Sequence, residues 1–280
     1  MNKQIIGILS SEILFFALTF FFGILAGESL LRFAQINKIA IPRVDPINFL
    51  ISFFIFVLLI FLFLSIPRVK KSKKITLKLL FIFASFYGSL LSLSSIFRGD
   101  ISFVVAFLLI LAWLLLSNVL IHNLVMVLSL AGIGAGVGIG LEPKGAVLLL
   151  ALLSIYDVIA VYKTKHMVKM ARSMIENKVI MGFIMPLRFK DLFAPLKEVS
   201  TGTRFIILGG GDVGLPLMLA VSVLRNGLIG GIIIAIASIC GLFVSFYLFI
   251  TQKERKPMPA LPPIALFAII GYLISTLIPQ

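Results

Sequence analysis

Nine apolar runs, separated by short polar or basic segments, dominate this 280-residue chain. Each run has about 20 residues, the length that an α-helix needs to cross the hydrocarbon core of a bilayer. They lie at 4–26, 47–66, 75–97, 101–117, 119–140, 145–162, 205–224, 227–250 and 259–278. Because 60% of the residues are hydrophobic and only 13% are charged, we predict an all-α polytopic membrane protein. It would have nine transmembrane helices in one membrane domain, residues 1–280.

The basic residues indicate how these helices are oriented. If the N-terminus is cytoplasmic, 18 of the 25 Lys and Arg residues fall in cytoplasmic segments and 6 in outside segments. This bias follows the positive-inside rule and predicts a cytoplasmic N-terminus and an outside C-terminus in the cell membrane. The net charge of +14 indicates contacts with the anionic bilayer surface. Binding to nucleic acid is not expected, because the basic residues cluster between apolar runs and form no soluble face.

The segment 163–204 is the only long loop between the predicted spans. Met167, Met170 and Met174 are spaced as on one face of a helix, so helix 6 is expected to continue beyond the membrane as an amphipathic helix. The apolar stretch "VIMGFIMPLRF" follows, interrupted by Gly182 and Pro186. It is too short to cross a bilayer.

Three of the 11 acidic residues lie inside predicted spans: Glu12, Asp157 and Asp212. A carboxylate at membrane depth is costly unless it is paired or hydrated, and Glu12 is expected to face polar neighbours in the bundle. Asp157 lies about 9 Å of helix rise before Lys163, and Asp212 about 12 Å after Arg204. Antiparallel packing of helices 6 and 7 would therefore bring Asp157 and Asp212 face to face.

Two carboxyl groups in contact at low dielectric do not both ionise, so one keeps a proton and the other stays charged. Such a pair holds a water molecule, accepts its proton on the ionised member and donates a proton from the other to the attacked carbonyl. This is the chemistry of an aspartic protease. It requires no metal or other cofactor, and we predict none.

Glycine and proline surround Asp212. Gly209, Gly210 and Gly211 remove side chains just ahead of it, so an extended backbone could approach closely. Pro216 lacks the N–H that would bond to the Asp212 carbonyl. Exposed backbone at membrane depth is tolerated where it lines a wet cavity or is covered by protein, so this sequence predicts a hydrated cleft.

Helix 9 is preceded by a third unusual segment, "PMPALPPIA", on the cytoplasmic side. Pro257, Pro259, Pro262 and Pro263 are expected to prevent a regular helix start and to keep the chain extended. A proline-rich first helical turn is the alternative interpretation.

Three motifs now occur in order: "IYDVIAVY" with Asp157, "GGGD" with Asp212, and "PALP" at Pro259 to Pro262. Together they resemble the presenilin and signal peptide peptidase family of intramembrane aspartyl proteases. The resemblance implies a nine-helix presenilin-like fold and an endopeptidase that cleaves the transmembrane segments of membrane proteins. It covers the C-terminal half of the chain by motif and the first half only by helix count.

The resemblance also implies roles for individual residues. It makes Asp157 and Asp212 the catalytic pair. The flanking motif positions are Tyr156, Gly209 and Gly211. The segment that supports the active site and the substrate is Pro259, Ala260 and Leu261.

The extended "YDVIAVY" run and the predicted orientation favour the presenilin branch, whose substrates have their N-terminus outside. The 163–204 loop is much shorter than in animal presenilins, which puts autocleavage there in doubt. The compact form suggests a prokaryotic, archaeal homologue that is active without partner subunits. Whether the chain forms a homo-oligomer stays open.

A transmembrane substrate helix must unwind before water can attack it, and the unwound strand then needs new hydrogen-bond partners. We expect these at the start of helix 7, at "PALP" and along "VIMGFIMP". The substrate would add there as an extended strand by edge pairing.

A proton-coupled transporter is the alternative function, because transporters also use paired intramembrane acids and broken helices. No two-half symmetry in the sequence supports it. "GIGAGVGIG" (132–140) is interpreted as a helix-packing surface and not as a nucleotide site. His122 is interpreted as a hydrogen-bonded residue of the bundle and not as a metal ligand.

Overall fold

The computed structural model describes residues 3–42, 44–65, 70–164, 174–175, 179–200, 204–252 and 257–278. Within these ranges the chain forms nine α-helices and one two-stranded antiparallel sheet. The helices are α1 (Lys3–Ile36), α2 (Pro46–Ser65), α3 (Lys70–Leu93), α4 (Gly99–Leu116), α5 (Val119–Gly140), α6 (Pro143–Val158), α7 (Gly210–Ser222), α8 (Leu228–Ile250) and α9 (Leu261–Leu277). The strands are β1 (Gly182–Pro186) and β2 (Phe205–Gly209). The predicted nine-helix membrane fold is thus confirmed.

Among the described residues, six helices are long and apolar enough to cross a membrane. They comprise Gly7–Ile36, Ile75–Leu93, Gly99–Leu116, Val119–Gly140, Pro143–Lys163 and Leu228–Ile250, and α9 is a shorter apolar helix. Helices α4 and α5 are separate, as predicted, because Ser117 adopts a left-handed conformation with φ 43°. Asn118 then caps α5 by accepting a hydrogen bond from the Ile121 amide.

The predicted helix at 205–224 needs correction. Residues 205–209 form β2, and only Gly210–Ser222 is helical. β2 pairs antiparallel with β1, in the register Gly182 to Gly209 and Pro186 to Phe205. The pairing satisfies backbone groups that a helix would have satisfied internally. A strand rises about 3.3 Å per residue, so the helical estimate of 12 Å between Arg204 and Asp212 was too short.

Helix α7 is the centre of the bundle, in contact with α1, α5, α6, α8 and α9. Leu217 in the middle of α7 is fully buried. A methyl group at Gly23 of α1 would lie 2.6 Å from the Leu217 side chain, and one at Gly134 of α5 would lie 2.7 Å from it. Glycine at these positions lets both helices approach α7 closely. The short helix that carries Asp212 is therefore held on several sides.

The glycine-rich run of α5 is a packing surface, as predicted. Gly132 faces the backbone of Gly88 in α3 so closely that a methyl group would overlap the Gly88 carbonyl. Gly138, on another face, would meet the Met218 carbonyl of α7 at 2.7 Å if it carried a Cβ. Helix α5 is thus in backbone contact with α3 and α7.

Candidate active site

Asp157 and Asp212 are brought together at the contact between α6 and α7. Asp157 is one residue before the end of α6 and is only 3% exposed. Asp212 is in the first turn of α7 and is half-buried. The two carboxyl groups interact electrostatically. Helix α9 contacts both helices, and the amide of Leu261 at its first residue is directed toward Asp157, so the three sequence motifs lie on helices that pack together.

The junction between β2 and α7 positions Asp212. The chain is extended at Gly209 (φ −61°, ψ 139°) and becomes helical at Gly210. The Gly209 amide is directed toward the Asp212 carboxylate, and a Cβ at Gly209 would lie 2.9 Å from Asp212 Oδ2. Gly211 has open space where a side chain would be. Pro216 lies within α7 without ending it.

Asp157 is positioned differently. Neither of its carboxylate oxygens has a hydrogen-bond partner within the described residues. The Leu261 amide, at the first residue of α9, is directed toward this carboxylate. Because the side chain of Leu261 is buried, with 4% exposure, its amide has a defined orientation. Asp157 therefore carries two buried oxygens without a hydrogen-bond partner among the described residues.

The "PALP" segment combines the two interpretations drawn from its sequence. Pro257 to Ala260 is non-helical, as expected from the prolines. Pro262 and Pro263, however, lie inside the first turn of α9, where proline is compatible with a helix because its missing N–H has no intrahelical partner anyway. Pro259 is buried and Ala260 is half-buried beside Leu261.

A π-helix at Ile159–Lys163 follows α6 directly after Val158. Such wide turns are frequent at functional sites, and this one begins two residues after Asp157. Tyr156 is 51% exposed, on the side of α6 away from the bundle core. Helix 6 was expected to continue past Lys163; Met167 and Met170 lie outside the described residues.

Strand β1 is held by α5, which the sequence analysis did not anticipate. The Asn123 side-chain amide donates to the Ile184 carbonyl at 2.8 Å and accepts from the Ile184 amide at 2.9 Å. The preceding residue, His122, donates to the Gly182 carbonyl at 3.0 Å and accepts from the Trp113 side chain at 3.2 Å. His122 is thus a hydrogen-bonded bundle residue, as predicted. A second polar residue beside it in an apolar helix was the signal for this role of Asn123.

The two Asn123 hydrogen bonds to Ile184 act as a clamp on β1 and determine which edge of the sheet is free. Asn123 occupies both peptide groups of Ile184, so Ile184 and its partner Ile207 form a non-hydrogen-bonded pair of the ladder. The N–H and C=O of Ile207 therefore point away from β1. Within the described residues they have no hydrogen-bond partner. The free edge of β2 leads directly to Gly209 and Asp212.

Glu12 of α1 is 5% exposed and lines a cavity of about 180 Å³ next to this edge. Other walls come from β2, α8 and the segment before α9. The expected polar surroundings are limited to Ser245, since the remaining lining side chains are apolar. Among the described residues no group of three or more His, Cys, Asp or Glu is arranged to hold a metal ion.

Comparison with known proteins gave one family and several related structures. The sequence profile of a family described as signal-peptide peptidase, presenilin aspartyl protease matches residues 13–280. No curated protein sequence matches the chain.

Two similar solved structures are of a presenilin family intramembrane aspartate protease, in space groups C222 and P2. The first has 22% sequence identity and a TM-score of 0.64, and the alignment covers 96% of this chain and 98% of that one. The second has 22% identity and a TM-score of 0.58, with 94% and 96% covered.

Proposed function

Because the chain belongs to the signal-peptide peptidase and presenilin family of aspartyl proteases, we propose that Asp157 and Asp212 are its catalytic pair. The protein is an intramembrane endopeptidase, and the family gives no support to a transporter. The observation that carries the assignment is the meeting of two carboxyl groups from α6 and α7, one of them without a hydrogen-bond partner in the described structure.

The pair acts through a water molecule held between the carboxyl groups. The ionised carboxylate accepts a proton while the water oxygen attacks the carbonyl carbon, and the protonated carboxyl group donates its proton to the carbonyl oxygen. The carboxyl group that took the water proton then donates it to the amide nitrogen, and the other aspartate accepts a hydroxyl proton of the tetrahedral intermediate as the C–N bond breaks, leaving a carboxylic acid and an amine. The amides of Gly209 and Leu261 orient the two carboxyl groups throughout.

Conversion of either aspartate to asparagine tests the assignment. Asp157→Asn and Asp212→Asn keep the side-chain volume but cannot exchange the required proton. We expect a loss of about 10²-fold or more in cleavage rate with the fold retained. Purified variants would be incubated in detergent with a single-span peptide, and products identified by mass spectrometry. Asp100→Asn, which changes an exposed acid in α4, is the control. Substantial cleavage by a variant of either aspartate of this catalytic pair, the dyad, would contradict the assignment.

We further propose that the substrate adds as an extended strand to β2. The free peptide groups of Ile207 support this, because an unwound transmembrane segment needs such partners. The non-helical segment before α9 lines the cavity on this side of the sheet, through Pro257, Met258 and Ala260. In this arrangement the substrate strand runs past Gly209, and the carbonyl group of the peptide bond to be cleaved lies at the dyad.

Two changes test the strand model. Leu261→Glu should reduce cleavage strongly while both aspartates stay in place, because a charged side chain disrupts the apolar wall that Leu261 is proposed to form beside the substrate strand; Leu261→Met is the volume-matched control. Peptides with helix-breaking residues near the cleavage site should be cleaved faster than uniformly Leu-rich ones. Cleavage rates that are indifferent to both changes would contradict strand addition and leave the dyad assignment intact.

The orientation predicted from the basic residues belongs to the same proposal. With a cytoplasmic N-terminus, β2 approaches the dyad from the cytoplasmic side, and the substrate's C-terminus lies inside. Tags at the two ends, tested for protease accessibility in sealed vesicles, should lie on opposite sides of the membrane. Two accessible or two protected tags would contradict it.

A further inference from the structure

Glu12 has no role in the chemistry described above. Its carboxyl group is buried in α1 at 5% exposure, and within the described residues no hydrogen bond or ion pair reaches it. A buried carboxyl group without a partner destabilises a membrane helix bundle. Glu12 faces a cavity of about 180 Å³, and so it is available to a ligand.

The cavity lies beside the free edge of β2. Ile206, Ile207 and Leu208 form one wall, and Met258 and Ala260 contribute to another. A strand that pairs with this edge would place side chains in the cavity. Adjacent residues of a strand are about 3.3 Å apart. The substrate side chains that reach the cavity therefore belong to residues about two to four positions from the cleaved peptide bond, on the side of that bond away from α7.

The walls suit a long side chain with a charged end. Phe246, Phe249 and Met258 are apolar, and Glu12 supplies the acid. Lys and Arg have an apolar stem and a cationic head. Membrane proteins with a cytoplasmic C-terminus carry Lys and Arg close to the inner boundary of their span. A substrate strand on β2 would bring these residues to the cavity, while an acidic side chain would be repelled by the Glu12 carboxylate.

We propose that Glu12 is a specificity-determining residue that binds a Lys or Arg side chain of the substrate, about two to four residues on the cytoplasmic side of the cleaved bond. The inference rests on the proposed strand addition at β2. The cationic head forms an ion pair with the Glu12 carboxylate, and the stem covers the apolar walls. Substrates are thereby selected by the charge that follows their transmembrane segment, and the cleavage position is set by the distance between Glu12 and the dyad.

The test compares single-span peptides that differ at one residue. After the cleaved bond has been mapped by mass spectrometry, Lys, norleucine or Glu is placed at the second, third or fourth residue beyond it. Norleucine keeps the stem and removes the charge. At one of these positions the wild-type protein should cleave the Lys peptide with a kcat/KM at least about tenfold above that of the norleucine peptide.

The protein variants assign this preference to Glu12. In Glu12→Gln the ratio of Lys to norleucine should fall to about one, and in Glu12→Lys the Glu peptide should become the better substrate. Glu28→Gln, which changes an acid of the same helix that pairs with Arg32, should keep the wild-type ratio. A Lys preference that survives in Glu12→Gln, or no preference in the wild type, would overturn the proposal.

A binding measurement separates this proposal from the dyad assignment. Fluorescent Lys and norleucine peptides are titrated into Asp212→Asn protein, with and without Glu12→Gln. The Lys peptide should bind about tenfold more tightly only when Glu12 is present. If Asp212→Asn still cleaves while this preference depends on Glu12, the dyad assignment fails and the Glu12 site stands. Equal binding of the two peptides would overturn the Glu12 site whatever the dyad does.

Discussion

At the scale of single residues, glycine determines where the Asp212 carboxylate lies. Gly209 ends β2, and its amide is directed toward that carboxylate. The space that a Cβ would occupy at Gly209 is only 2.9 Å from Asp212 Oδ2, so a larger residue would compete with the carboxylate itself. Gly211 has no such neighbour. The two motif glycines, which look equivalent in the sequence, therefore differ in their surroundings.

We expect Gly209→Ala to impair catalysis far more than stability. The added methyl group displaces the end of one flexible side chain, so the free energy of unfolding should change by no more than about 1 kcal/mol. A carboxylate displaced by about 1 Å should lower kcat by about 10²-fold. Gly214→Ala is the matched control, because its methyl group would meet only Leu130 at 3.6 Å. Full activity of Gly209→Ala would show that Asp212 tolerates the shift.

At the scale of secondary structure, a two-stranded sheet lies within a helical membrane protein. Backbone groups of an open sheet edge are unfavourable at membrane depth unless protein covers them. Here α5 covers one edge through Asn123, whose side chain replaces a neighbouring strand for Ile184. The opposite edge at Ile207 remains without partners in the described structure. In the proposed strand addition, this asymmetry leaves the edge at Ile207 as the one to which a substrate strand can pair.

Asn123→Ala should weaken both the fold and proteolysis. It leaves the buried N–H and C=O of Ile184 unpaired, at a cost of about 1–3 kcal/mol for each group. We expect a lower thermal unfolding temperature in detergent and slower peptide cleavage, although neither aspartate is changed. Asn118→Ala, which removes the α5 N-cap at about 1 kcal/mol, controls for general weakening of α5. If Asn123→Ala is as stable and active as wild type, the clamp does not position the sheet.

At the scale of the whole molecule, the proposed catalytic pair is assembled by the packing of α6, α7 and α9. Its two acids are 55 positions apart in the chain and come from different helices. Contacts with α1, α5 and α8 in turn hold α7 in place. Small residues such as Gly23 and Gly134 permit these contacts, so positions far from the dyad contribute to its geometry.

The paired geometry predicts a bell-shaped dependence of the cleavage rate on pH. The mechanism needs one protonated and one ionised carboxyl group. Cleavage should therefore fall at low pH, where both are protonated, and at high pH, where both are ionised. Rates would be measured on a peptide without titratable side chains, with the fold checked at each pH. A rate that stays constant while the fold is intact would contradict a shared proton.

Much of this architecture was readable from the sequence, because hydropathy, charge and short motifs are local properties. Nine apolar runs predicted nine helices, and the polar break at Ser117 separated α4 from α5. The motifs also indicated which acids belong together, although the distance from Arg204 to Asp212 was underestimated because residues 205–209 form a strand. The roles of these residues remain a prediction that the asparagine variants test.

Only the tertiary structure decided the features that depend on distant partners. Residues 205–209 are as apolar as a helix would require, and they form a strand because β1 pairs with them. Asn123 and Ile184 are 61 residues apart, and no local pattern connects them. Glu12 was expected among polar groups but faces a largely apolar cavity. In each case a local preference was overruled by hydrogen bonds or packing between segments far apart in the chain, and single-sequence patterns carry no information about which segments meet.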